Sequence, residues 1–175
     1  MKIRLIPSLA SAFIVTSLCG VMYTAVQQNF RQSANDPQIQ IAEDAAARLN
    51  DNASAVSVTN SARVAVETSL SPFTEVFDDT GKPIASNGYL LGKMPTLPAG
   101  VFAFAKVNGE DRFTWQPEPA VRDAVVIEHV TGKHPGFVMA ARSLREVEVR
   151  ENQLTIMISA GWLICMGIIV IAAVL

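Results

Sequence analysis

Three arginines recur on successive short segments of strand character. Arg112 opens the run to Trp115, Arg122 lies in Val121 to Val130, and Arg142 follows Phe137 to Ala141. A guanidinium is planar and always charged, and its fork can bond a carboxylate or phosphate through two parallel N–H groups, so three converging arginines would suit a small anionic ligand. Trp115 and Tyr89 are the nearby aromatic candidates for such a site. The competing assignment is pairing of these arginines with the 16 acidic residues, an interaction that is common and weak at surfaces. Trp115 alternates with Thr114 and shares a face with Phe113, which also fits a core position in a sheet.

Other residue groups point less clearly to chemistry. His129 and His134 are five apart with Glu128 beside the first, but third and fourth ligands for a zinc ion are missing. Asp78-Asp79-Thr80-Gly81 lacks the alternating oxygen ligands of a calcium loop and reads as a turn. The sequence contains no G-x-S-x-G, H-E-x-x-H, C-x-x-C or G-x-x-x-x-G-K. No catalytic activity, metal or cofactor is therefore expected.

The elements that must position these groups are announced by an uneven charge distribution. Half of the 175 residues are apolar and only 17% are charged, which excludes a disordered or fibrous chain. Between Arg4 and Arg31 there is no Lys, Arg, Asp or Glu, and none follows Glu151. Two apolar blocks, Leu5 to Val26 and Leu154 to Leu175, are each long enough to cross the roughly 30 Å hydrocarbon core as a helix. In hydrocarbon an unpaired backbone group costs several kcal/mol, so each block should be one continuous helix. The first block is too long for a cleaved signal and lacks a small-x-small site before Gln27, and is read as an uncleaved anchor.

Lys2 and Arg4 place the N-terminus on the cytoplasmic side of the membrane, with two passes returning the C-terminus there. The central region is then periplasmic or extracellular. With 12 basic and 16 acidic residues it carries a net charge of −4, which argues against a nucleic-acid surface. Cys19 and Cys165 fall inside the two spans, where Cys acts as a small apolar residue, and supply no disulfide framework. Ser8, Ala12, Thr16, Gly20 and Thr24 recur every four residues along the first span. Small side chains at that spacing offer a packing face for the second span or for a partner, a second copy of the chain included.

Within the central region, Asn35-Asp36-Pro37 predicts a helix stop followed by a new helix to Asn50, with Ile39, Ala42, Ala46 and Leu49 as its apolar stripe. Asp51 to Ser61 reads as a loop with a short extended piece at Ala55 to Val58. Phe73 to Phe77 and Pro83 to Ser86 form a hairpin around Asp78 to Gly81, ended by Asn87-Gly88. A Gly- and Pro-rich connection leads to Val101 to Val107, a helix or a strand by its apolar run. The three arginine-bearing strands follow as an antiparallel meander. Ser143-Leu144-Arg145-Glu146 supplies a capping box, and no Gly or Pro interrupts the chain from there to Gly161. One rod about 48 Å long should therefore join the last strand to the second span.

The fold class is thus α+β, with two transmembrane helices flanking a domain that has an N-terminal helix and an antiparallel sheet of about five strands. The segments are 1–33, 34–143 and 144–175. The order of anchor, helix, hairpin, meander and second span, with the strings FTEVFDDTGKPIAS, TWQPEPAVRDAVVIE and FVMAARSLREVEVRE, resembles the extracytoplasmic PAS-like (Cache-type) sensor regions of bacterial membrane receptors and small two-span signal proteins. That resemblance implies a sensor whose ligand-induced shift passes through its membrane helices to a separate membrane protein, since the chain ends without an output domain. The rival expectation is an accessory subunit of an inner-membrane complex.

Overall fold

The computed structural model describes residues 5–174. Lys2 and Arg4, which carry the orientation argument, lie outside the described residues. The chain divides into two compact units, Met1–Gln32 with Val147–Leu175, and Ser33–Glu146.

The first unit is a pair of helices. Helix α1 runs Leu5–Asn50 and helix α4 runs Arg145–Val174. Ile6–Phe30 and Arg145–Val174 are each long and apolar enough to cross a membrane, and none of their most apolar stretches is buried within the protein. Phe13 and Met157, for example, are 74% and 72% exposed, an arrangement that lipid would cover and water would penalise. Among the partly covered positions are Ser8, Ala12, Val15, Cys19 and Tyr23 on α1, and Leu154, Ile158, Trp162 and Cys165 on α4. A strict four-residue spacing drifts about 40° per step around a helix of 3.6 residues per turn, so the covered side moves off Thr16, Gly20 and Thr24. Thr16 still meets α4, because the Trp162 indole Nε1 donates to its Oγ1 at 2.9 Å. The Thr24 hydroxyl turns back to the Gly20 carbonyl at 2.9 Å. Cys19 and Cys165 are free thiols.

Pro37 lies inside α1 and does not end it, contrary to the expected stop at 35–37. The lost amide donor strands one carbonyl, that of Ser33, on an exposed turn where water can bond it. Ala55–Val58 is a one-turn helix, α2, rather than an extended piece. Ser54 caps it by accepting from the Ser57 amide at 3.2 Å.

The second unit is built on five antiparallel strands. They are β2 (Phe73–Asp78), β3 (Pro83–Ser86), β5 (Glu110–Glu118), β6 (Val121–Val130) and β7 (Gly136–Ser143), in the order β3-β2-β7-β6-β5. The hairpin thus folds back so that its first strand pairs with the last strand of the meander, Phe73 opposite Ala141. Asp78 Oδ1 accepts from the amides of Thr80 and Lys82, both at 2.9 Å, and Gly81 supplies the φ of +82° that closes the turn. A minor parallel pair, β1 (Val64–Ala65) with β4 (Gly88–Tyr89), carries no pattern in so short a sequence. Phe73 presses on Gly88 so closely that a Cβ would lie 2.2 Å from its ring.

The apolar run at 101–107 resolves as helix α3, Ala99–Asn108, laid on one face of the sheet. Phe102 stands edge-on between Phe77 and Phe137 at 5.1 Å from each ring. Burial of each such ring contributes about 1.5–3 kcal/mol. The opposite face packs on α1, where Ala42, Ala45 and Ala46 meet Val76, Val126, Val130 and Val138. Small helix residues let the backbone approach a valine-rich sheet closely. The strands therefore have an α3 face and an α1 face, and each successive residue changes side.

Candidate functional site where the last strand passes into helix α4

Strand β7 passes into α4 with one residue between them, and that joint is tied down from several directions. The Leu144 amide donates to the Arg122 carbonyl at 2.8 Å, extending the β6–β7 ladder past its last pair, Asp123 with Ser143. Ser143 Oγ accepts from the amide of Arg145 at 3.3 Å, not from Glu146 as the capping-box spacing suggested, because the helix starts at Arg145. Two guanidinium arms reach the segment before β2. Arg142 Nε donates to the Leu70 carbonyl at 3.2 Å, and Arg145 Nη2 donates to Thr68 at 2.7 Å. Charged donors on carbonyls are among the stronger hydrogen bonds in proteins.

Asp123 lies beneath this joint. Register places it in one cross-strand row with Trp115 and Ser143, on the α3 face. It is 1% exposed, its Oδ2 has no hydrogen-bond partner, and burial pushes its carboxyl up to about 6. Trp115, 7% exposed, forms the floor of a groove of about 580 Å³ walled by Leu97, Pro98 and Val101. A second carboxyl, Glu75, sits two rows away on the same face, between Phe73 and Phe77. It is fully buried, both oxygens lack partners, and burial drives it up to about 9, so it is a neutral acid at pH 7. Neither acid was singled out from the sequence, although the signal was present. Glu75 alternates with two phenylalanines and Asp123 with two valines, which puts each on a core face.

No family model and no curated protein matches the chain.

The three arginines share the α1 face of the sheet, since Arg112 pairs with Val126 and Arg142 with Ala124, and Arg122 has the same strand parity as Ala124. Each is engaged within the chain, and neither Arg142 nor Arg112 lines the Trp115 groove. Trp115 is on the other face, so the sheet separates it from the guanidinium groups. Tyr89 belongs to the minor sheet, where the Arg63 guanidinium stacks 3.9 Å above its ring. Arg122, Arg142 and Trp115 nevertheless lie at the same end of the sheet, around the joint.

Arg112 is bonded to Glu110, with Nη2 to Oε2 at 3.0 Å, and belongs to a carboxyl group cluster. Oxygens of Glu43 on α1, Glu110 on β5 and Glu128 on β6 come within 4.8 Å of one another. The bond from Arg112 holds Glu110 below its ordinary range. Burial, followed by the shared hydrogen bond with Glu110, raises Glu128 to about 7. Three carboxylate oxygens suit a hard divalent cation in general. Here a shared proton and one guanidinium already balance most of the charge. His129 is packed against Phe137 at 5.1 Å between ring centres.

Proposed function

We propose that the chain is an extracytoplasmic sensor anchored in a bacterial inner membrane by two spans, with both termini cytoplasmic, that passes a signal along its membrane helices to a separate membrane protein. The observation that carries this reading is the pinned joint. A strand end, a buried titrating acid and two arginine tethers converge where a 30-residue helix containing the second candidate span begins. Gain or loss of a proton at Asp123 bears on the ladder that holds Leu144, and α4 has no glycine or proline before Gly161 to absorb a displacement. A hairpin and meander folded into one sheet, with α3 on one face, is the arrangement expected of a PAS-like module.

Photo-crosslinking in native membranes tests this. A photoreactive residue at Ile164 or Ile168, exposed positions on α4, should capture one membrane protein, and Arg145→Ala should change the yield at least severalfold. Capture of lipid alone, or a yield indifferent to Arg145→Ala, would count against the proposal.

The accessory-subunit reading draws on a different observation. Helix α3 exposes Phe104 (52%) and Val107 (85%) on the second unit, side chains of the kind that dock on a larger neighbour. Crosslinks from those two positions, with none from Ile164 or Ile168, would favour it.

A further inference from the structure

The corner between α1 and α2 leaves a cavity of about 280 Å³ over the α1 face of the sheet. Its floor is Val76 and Val130, its walls are Leu49 and Ala55, and its mouth is bounded by Ile84 and His134. The cavity exists because the corner is built from small residues, Ala53, Ser54 and Ala55, above valines, so neither layer fills the space between them. Protein interiors otherwise pack as densely as organic crystals, and an apolar void about half this size is enough to hold a benzene molecule. Ile84 is left 53% exposed at the mouth, a position water penalises and an apolar ligand would cover.

The polar groups around the mouth are few, which limits the head group. Ser54 is committed to capping α2, and its carbonyl accepts from the Ser57 hydroxyl at 2.8 Å. Asp78 is committed to its own turn. Among the described residues His134 is the only titratable side chain that lines the cavity, and the exposed ammonium of Lys133 is its chain neighbour. We infer that this cavity binds a small arene of about ten to twelve non-hydrogen atoms bearing a carboxylate, with the ring on Val76 and Val130 and the carboxylate accepting from the His134 imidazole. The site is distinct from the joint below α4 and stands whether or not the chain signals.

The test uses the full chain in lipid nanodiscs, isotope-labelled at isoleucine methyls, titrated with 3-phenylpropanoate, propylbenzene and 3-phenylpropylamine. The Ile84 resonance, assigned through Ile84→Leu, should shift saturably with 3-phenylpropanoate at submillimolar concentration, as ligands of this size allow, and about tenfold more weakly with the amine. His134→Leu should bring the acid down to the affinity of propylbenzene. Ala55→Phe should fill the cavity and abolish the shift while the Ile127 methyl keeps its position. If that variant misfolds, Leu49→Trp replaces it with the same expectation. Absence of a saturable Ile84 shift up to about 5 mM, far above what such a cavity should need, overturns the site. So does a shift that survives the filling variant, whereas equal binding of amine and acid overturns the assigned head group.

Discussion

On the α1 face of the sheet, Glu43, Glu110 and Glu128 stand beside one another, with Arg112 bonded to the middle one. On the α3 face, one residue away along the same strands, Glu75 and Asp123 are buried among aromatic and branched side chains, and both oxygens of Glu75 and Oδ2 of Asp123 have no hydrogen-bond partner. Both faces raise the affinity of a carboxyl group for its proton, by different means. On the α1 face the neighbours and partial burial act together, so removing one member changes the others. On the α3 face desolvation acts alone, and each acid should behave independently of any partner. An unpartnered buried polar group costs about 1–3 kcal/mol even when neutral, so the α3 face holds the groups that weaken the fold.

The sharpest way to test that contrast is through pH, and the largest effect belongs to Glu75. Its folded value of about 9 lies above the ordinary 4.5, so the folded state holds a proton that the unfolded chain releases between those limits. Stability is therefore complete below about pH 4.5 and falls as pH rises towards 9, by about 1.4 kcal/mol per unit at most. Glu75→Gln keeps the shape of the neutral acid and removes the ionisation. Thermal unfolding of the variant should gain on the parent by on the order of 3 kcal/mol at pH 7 and differ little at pH 4. Parallel stability curves for the two proteins across that range would show that Glu75 is solvated in the folded state.

Asp123 should give a smaller gain in a lower window. Its carboxyl moves from 3.8 to about 6, so the destabilisation grows between those values and is constant above. Asp123→Asn should stabilise by about 2–3 kcal/mol at pH 7.5, with no gain at pH 3.5. Because Asp123 pairs with Ser143 in register, the same substitution should also remove any pH dependence, around pH 6, of the protection of the Leu144 amide relative to its intrinsic exchange rate. Protection at Leu144 that keeps a step around pH 6 in the variant would separate the acid from the joint.

These positions also show which parts of the molecule the sequence makes legible. Strand existence, the hairpin and the meander could be read because β2, β6 and β7 carry dense apolar runs between turn residues, and an antiparallel sheet of about five strands was the arrangement expected. Pairing of β2 with β7 depends on contacts some sixty residues apart, and single-strand patterns do not carry that information. Pro37 misleads because a proline's local cost is outweighed when the helix continues on both sides and the stranded carbonyl is exposed. The arginines could be counted but not assigned to a common face. Alternation along β5 already separates Arg112 from Trp115, three residues on, but only register puts Arg122 and Arg142 on the Arg112 side. Glu75 and Asp123 were legible in principle from their alternation with Phe and Val. A charged residue in a strand ordinarily faces solvent, and these two depart from that rule.

The smallest expected effect tests the α1 face, where the acids are coupled. Glu128 is half-buried and Glu110 lies directly across the strand pair from it, so a proton on Glu128 is held partly by burial and partly by the charge of Glu110. Glu128→Gln removes one negative charge from a group of three, and the Arg112 bond then leaves only Glu43 unbalanced. Solvent screening at this half-exposed site reduces the gain to about 1 kcal/mol above pH 7, with none below pH 4.5. Glu110→Gln should act oppositely on its neighbour. It deprives Glu128 of the charge that holds its proton and frees Arg112 to pair with it, so the Glu128 carboxyl, followed by carbon-detected NMR, should titrate at lower pH than in the parent. If Glu128 titrates unchanged in Glu110→Gln, burial alone governs it, and the two faces of the sheet do not differ in kind.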